Sequence, residues 1–326
     1  MTDGTTSTSM QPQVPAPGVH PVPQTAPPVR SSRQLKRTAS VRKRRQRLLL
    51  GIVLVVISFI MAAPFVWMFL TAVRSTQELF SPDMSLWPQE WHWENFRTAL
   101  NRAPFLTYAR NSFTIALVHT ISNLILGSMC GYALAKLRFK GSTPVFMFIL
   151  ASMMIPFYAI VIPEFLMVRH MPLFGGNDIL GQGGIGWIDS WWALLVPALV
   201  SPFNIFLFRQ FFVSTPTELI EAARIDGANE FWIYARIMAP LIKPGMLTVA
   251  LLSFEQGWNN FLWPLIVTTS TEMRVVQVGL AVFRQEAGTE FNLLMAGTTM
   301  AALPMILLFA LFQRSFVNAM VASGIK

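Results

Sequence analysis

The chain is poor in the residues from which catalytic and metal sites are made. It has one cysteine, Cys130, inside an apolar run, so no internal disulfide can form and the residue says nothing about redox compartment. It has four histidines, and none stands with Cys, Asp or Glu at metal-ligand spacing. His20 falls in a polar tail, His92 and His170 lie between apolar runs, and His119 and Asn123 sit inside one, where helix packing is the expected role. No nucleophile has a base at a recognisable offset, so a catalytic reading has nothing to stand on. Charge is scarce too: Asp, Glu, Lys and Arg make up 13% of 326 residues, against about 25% in a soluble domain. Apolar residues fill the deficit at 53%, which is the composition of a membrane protein.

The formal charge of +9 is distributed unevenly. Nine of the 25 Lys and Arg fall between Arg30 and Arg47, directly before the first apolar run, where they read as a cytoplasmic anchor on anionic membrane lipid. No aromatic or fold signature accompanies them, so nucleic acid is not an expected partner. Residues 1–47, rich in Pro, Ser and Thr up to the basic cluster, are expected to be a disordered cytoplasmic tail. Beyond them the sequence reads as an all-α polytopic membrane domain, 48–326, with six transmembrane helices at about 48–73, 112–135, 143–168, 191–212, 246–268 and 293–313. The first run is too long, and its preceding tail too extended, for a cleavable signal peptide. With both termini cytoplasmic, only Arg74, Arg97, Arg102, Arg110, Arg169, Arg274 and Arg284 lie outside, as the positive-inside bias requires. Trp87, Trp91 and Trp93 in the first outer segment read as interfacial anchors. The glycine-rich stretch 169–190 follows no strand, so it is not a phosphate cradle; it reads as a flexible outer loop. A further outer loop is expected over 269–292.

The polar stretch 215–244, TPTELIEAARIDGANEFWIYARIMAPLIKP, separates the fourth and fifth runs and does not read as a solvated linker. Thr215, Pro216 and Glu218 suggest a capping-box start. A helix to Asp226 follows, with Leu219, Ala222, Ala223 and Ile225 available to an apolar side. Gly227 supplies the stop, and a second run from Asn229 to Met238 should end near Pro240. Helix, glycine turn and helix between two spans make a docking knob. The spacing Glu221-Ala222-Ala223, Asp226-Gly227, Ile237 and Pro240 resembles the EAA loop of ABC importer permeases, the element that seats in a groove of the ATPase subunit. Ala239 stands where Leu is more usual. Phe208 to Phe212, Trp258 to Leu265, Leu294 to Gly297 and Phe312 to Val317 are similar to the carbohydrate-uptake branch, of the maltose-transporter second-permease type, and the resemblance covers 48–326. Asn318 to Met320 depart from that pattern.

This resemblance implies the type I permease fold in a prokaryotic plasma (inner) membrane and alternating access driven by ATP. It implies a second permease subunit, two ATPase subunits carrying ATP and Mg, and an extracytoplasmic sugar-binding protein. This chain would bind no cofactor and perform no covalent chemistry. From the residues themselves, Glu255 is the one carboxylate read as lying well inside an apolar span, a default functional position. With Trp258, Asn259 and Asn260 it makes a polar and aromatic patch fit for sugar hydroxyls and a sugar C–H face; helix-to-helix polar contact is the competing role. The rival function is an ion-coupled secondary transporter or channel using Glu255, which should show inverted repeats and several intramembrane carboxylates.

Overall fold

The computed structural model describes residues 32–82, 85–286 and 290–324, so the expected tail over 1–31 lies outside the described residues, and the departing residues Asn318 to Met320 lie outside the described side chains. The chain divides into two units, 1–62 and 63–326. The first consists, where described, of most of helix α1 (Ser32–Ala72), whose end from Ala63 belongs to the second. Helix therefore replaces the disorder expected over 32–47. Between Ser32 and Leu50 there is no Gly or Pro, and Leu, Lys, Arg and Gln dominate, so the helix of the apolar run propagates back through the basic cluster. Gln46–Ala72 has the length and composition of a span.

The second unit continues with α2 (Thr76–Leu79), α3 (Glu94–Arg102), α4 (Phe105–Ser122), a π-wound segment Asn123–Gly127 and α5 (Ser128–Lys136). After α6 (Ser142–Met154) and α7 (Phe157–Arg169) come α8 (Trp191–Leu195) and α9 (Pro202–Val213). The knob is α10 (Glu218–Ile225), α11 (Glu230–Trp232), a π-wound segment Ile233–Met238 and α12 (Ala239–Leu241). The chain closes with α13 (Lys243–Trp258), α14 (Leu262–Val267), α15 (Val276–Glu286) and α16 (Phe291–Gly324). Among the described residues there is no strand.

Spans differ from the sequence reading where proline or polar residues interrupt them. The second is longer than 112–135, running from Phe105 to Lys136 as one helical column. The third, 143–168, is not straight: α6 and α7 meet at 103° around Pro156. Pro156 offers no N–H, and Ile155 before it is extended at φ −80°, ψ 119°, as a residue preceding proline prefers. The fifth, 246–268, is broken at Asn259–Phe261 between α13 and α14. The outer loop expected over 269–292 contains α15, whose approach and first turn bury Val275, Val276 and Val278.

In a bilayer the helices cannot be held together by exclusion from water, so close approach and polar bonds matter most. α13 lies against α4 at Gly257, where a Cβ would come 2.6 Å from the Cα of Ala116. Around that crossing Tyr108, Phe254, Trp258 and Val276 form one buried cluster. Beyond the first span Arg74 is fully buried, with Nη2 donating to the carbonyls of Ser85 (2.6 Å) and Leu86 (2.8 Å) and its guanidinium 3.4 Å from Glu78. Asn95 donates to the carbonyls of Ala72 (2.9 Å) and Arg74 (2.8 Å), so the segment after the first span is tied back onto it. Trp87, Trp91 and Trp93 are all exposed there, with Trp91 stacked on Trp93.

The glycine-rich stretch is a built element, which corrects its reading as flexible. Backbone runs against backbone: a Cβ on Gly175 would collide with the Gly186 carbonyl, and both glycines have φ near +60°. Buried Asn177 donates to the carbonyls of Arg169 (2.8 Å) and Met171 (3.1 Å) and accepts from Gly184 N–H (2.8 Å). Asp189, left-handed at φ 59°, accepts from Thr269 N–H (2.9 Å), Ser270 N–H (3.0 Å) and the Ser270 hydroxyl (3.0 Å). Burial pushes the Asp189 carboxyl up, but the hydrogen bonds from Ser270 and Thr269 outweigh it and hold the group below the usual carboxylate range. Its contribution to stability is therefore complete above about pH 4 and is lost as pH falls through the depressed value. Asp189→Ala removes the acceptor and places alanine in a left-handed conformation. A loss of about 3 kcal/mol and a lower Tm for the detergent-solubilised protein are expected, with Asp189→Asn retaining most of the stability.

Candidate functional site

The knob is built differently at its two ends from the sequence reading. Thr215 does not cap α10: its hydroxyl donates to the Phe212 carbonyl at 2.6 Å at the end of α9, and its own carbonyl accepts from Lys136 Nζ at 2.7 Å. Thr217 occupies the cap position without a side-chain bond to the helix N–H groups, so no capping box forms. The stop is as expected. Gly227 sits at φ 81°, its N–H donates to Arg224 O (3.0 Å), and Ala228 N–H donates to Ala223 O (3.0 Å), the paired bonds of a Schellman turn. Asn229 then caps the second helix by accepting from Trp232 N–H at 2.8 Å.

That second helix runs past Met238 and ends at Leu241, one residue after Pro240 and so near the expected stop. Proline stands in the first turn of α12, where its missing N–H is not needed. The Glu230–Leu241 run meets α13 at 84°, so the knob lies across the end of the bundle. The side of α10 turned inward is Ile220 with Ala223, three residues apart, in one cluster with Tyr132, Phe208, Phe212, Ile233 and Met238. Leu219, Ala222 and Ile225, expected on the apolar side, face outward, and Ile225 is 86% exposed.

Between the two knob helices lies an open cleft of about 550 Å³. Of the residues singled out in the sequence, Ala222, Ala223, Asp226, Gly227 and Ile237 line it together, joined by Leu219 and Trp232. Glu221 and Pro240 are exposed on the same knob but outside the cleft wall. The cleft wall combines apolar Leu219, Ala222, Ala223, Ile237 and Trp232 with polar Asp226 and Asn229, and Glu218 and Glu221 are exposed on the same helix, a chemistry that accepts an apolar plug with basic flanks. Arg224 Nε donates to Glu230 Oε1 at 2.7 Å across the turn. That bond, more than any other influence, holds the Glu230 carboxyl below its usual range; burial opposes it, and the Tyr132 hydroxyl adds to it.

The second patch separates into two roles. Asn259 Nδ2 donates to Glu255 Oε1 at 2.9 Å, and Gln277 Nε2 donates to Asn259 Oδ1 at 3.1 Å, an exposed polar chain. Asn259 and Gln277 edge a cavity of about 530 Å³ whose wall continues along α16 through Thr298, Ala301, Met305 and Gln313. Trp258 does not join them. It is 3% exposed, stacked with Phe254, and its indole N–H donates to the Ala301 carbonyl at 3.1 Å, so its face is not offered to a ligand. Asn260 is half-buried in the break after α13. Glu255 is exposed on this chain, and Glu164 in α7 is a second carboxylate within an expected span. Gln277 was hidden because its stretch read as a loop. His119 and Asn123 make helix-to-helix contacts: His119 Nδ1 lies 3.0 Å from Ser253 O, and Asn123 Oδ1 accepts from Ser201 N–H (2.8 Å) and Asn204 Nδ2 (3.0 Å). Among the described residues no group of three His, Cys, Asp or Glu is placed to hold a metal ion.

Comparison with known proteins agrees with this geometry. Residues 123–320, which include the knob and the polar chain, match the family described as binding-protein-dependent transport system inner membrane component. The chain is 34% identical over 273 residues to the arabinooligosaccharides transport system permease protein AraQ of Halalkalibacterium halodurans, covering 83% of this chain and 93% of the relative. It is 32% identical over 279 residues to the lactose transport system permease protein LacG of Rhizobium radiobacter, covering 83% and 93%. In fold it is similar to a bacterial ABC transporter involved in the import of the acidic polysaccharide alginate, with a TM-score of 0.71 and 24% identity over 84% of this chain and 98% of the other. An ion-coupled carrier built on Glu255 has no support in these likenesses. The chain belongs to the family of binding-protein-dependent transport system inner membrane components.

Proposed function

We propose that this chain is the transmembrane permease subunit of an ATP-driven, binding-protein-dependent importer of a sugar or oligosaccharide. The observation that carries this reading is the knob: a rigid helix, Schellman turn and helix laid across the end of the bundle, with an open cleft lined by Ala222, Ala223, Asp226, Gly227 and Ile237. The relatives named for arabinooligosaccharide and lactose transport support the substrate class. In this reading two ATPase subunits bind ATP and Mg, and one of them seats a helix or loop in the cleft, with Glu221 on its flank. A second permease completes the pathway, and an extracytoplasmic binding protein delivers the sugar. Both termini lie in the cytoplasm and the chain sits in the plasma (inner) membrane. The cavity edged by Asn259 and Gln277 is this chain's share of the pathway wall, with Glu255 fixing the Asn259 amide.

Recovery of the detergent-solubilised protein with whatever it binds tests the reading directly. Wild type is expected to bring an ATPase and a second permease. In Gly227→Pro the fixed negative φ of proline is incompatible with the observed 81°, and the ATPase should be lost. Wild type recovered alone would overturn the assignment. Asparagine tolerates the left-handed turn and a Cβ at this position meets no atom within 4 Å, so Gly227→Asn should keep the ATPase.

Asn259→Leu tests the pathway wall. Complex assembly and ATP hydrolysis should persist while sugar uptake falls about tenfold, the effect of one lost hydrogen bond to a hydroxyl. Uptake equal to wild type would remove this wall from the pathway.

A further inference from the structure

The knob is attached to the bundle by more than its apolar cluster, and the additional attachments fall in a pattern. Ser128, Tyr132 and Lys136 stand at successive four-residue steps along α5, so their side chains share one face of that helix. Each makes a polar contact with a different part of the knob. Ser128 Oγ lies 2.6 Å from the hydroxyl of Tyr234 in the second knob helix. Tyr132 donates to Glu230 Oε2 at 3.0 Å. Lys136 donates to the Thr215 carbonyl at 2.7 Å, at the entrance to α10. The middle contact differs from the other two. Glu230 uses its second oxygen, Oε1, to hold Arg224 of α10 at 2.7 Å, so one carboxylate joins both knob helices to α5. Tyr132 is 4% exposed and wedged edge-to-face against Phe212 at 5.5 Å, which leaves its hydroxyl little freedom to find another partner.

We infer that Glu230 is the positioning residue that locks the knob to α5, so that a push on the knob cleft is delivered to the column Phe105–Lys136 as a rigid displacement. This rests on the reading of the knob as the ATPase seat. The apolar cluster keeps the knob folded, but apolar contacts slide with small loss because they have no preferred direction. The Tyr132–Glu230–Arg224 chain and its two flanking bonds do have direction, and they resist sliding of α10 and α11 along α5.

The test uses the full complex with its ATPase, partner permease and binding protein, and reads three quantities: ATPase recovered, ATP hydrolysed, and sugar imported per ATP. In Tyr132→Phe and Glu230→Ala the ATPase should stay bound and hydrolysis should continue, while sugar imported per ATP falls about tenfold, the scale of one charge-assisted hydrogen bond. Glu230→Gln keeps an acceptor for Tyr132 and loses only the Arg224 bridge, so it should recover most of the ratio. Lys136→Met removes only the flanking bonds to the Thr215 carbonyl and, at 3.5 Å, the Thr217 hydroxyl, and should cost less than Tyr132→Phe. A wild-type ratio in both Tyr132→Phe and Glu230→Ala would overturn the inference while leaving the importer reading intact. Loss of the ATPase or of folded complex in Tyr132→Phe would also overturn it, because the contact would then hold the fold and not transmit motion. A wild-type preparation without any ATPase would instead strike the importer reading itself.

Discussion

The aromatic joint where α5, α9 and the knob meet is what the rest of this chain depends on. Phe208 and Phe212 are fully buried and Tyr132 nearly so, and Ile220, Ile233 and Met238 close over them from the knob side. Each of those burials is worth about 2–3 kcal/mol at the aqueous end of the bundle, where exclusion from water still operates. A half-exposed ion pair such as Arg224–Glu230 adds about 1 kcal/mol or less. The apolar joint therefore decides that the knob folds back on the bundle, and the polar bonds decide in which orientation. The same joint fixes α5 against α9, since a Cβ on Gly131 would come 2.5 Å from Phe208 Cβ. Arg209, next in sequence, places its guanidinium 3.9 Å above the Phe146 ring and brings α6 into the same assembly.

Much of this was legible in the sequence because it is local. Gly227 needs a positive φ, Asn229 caps the residues that follow it, and long apolar runs declare their spans without knowledge of neighbours. The errors came from partners, near and distant in sequence, that residue type alone does not reveal. Thr215 has the residue type of an N-cap, but its oxygen atoms were claimed by Phe212 and by Lys136, 79 residues away. Trp258 has the chemistry of a sugar platform, but its face was taken by Phe254 and its N–H by Ala301. The apolar side of α10 was misjudged for the same reason: Leu219 and Ala222 are as apolar as Ile220 and Ala223, and only the position of the joint selects which pair turns inward. Gln277 was invisible while its stretch read as loop, since valines spaced through Val275, Val276 and Val278 fit no single helical stripe.

At some interruptions of the bundle a side chain takes up a freed backbone group, as lipid cannot. At the start of α9 the N–H of Ser201 is received by Asn123, which also receives Asn204. At the end of α14, Thr268 returns its hydroxyl to the Pro264 carbonyl at 2.7 Å, and Trp263 reaches across to the Ala193 carbonyl at 2.8 Å. The breaks are thus compatible with a membrane only in company.

That company has a consequence for biogenesis. Asn123 lies within the column Phe105–Lys136 and Asn204 within the run Trp191–Val213, and each is fully buried only because the other, with Ser253 of α13 2.9 Å from Asn204, is present. In a nascent column the Asn123 amide nitrogen already has a partner in its own helix, the His119 carbonyl at 2.8 Å, while the oxygen that receives Ser201 and Asn204 has to await the later run. The polar joint at mid-chain is thus completed only when the run Trp191–Val213 has been synthesised, long after the column it joins.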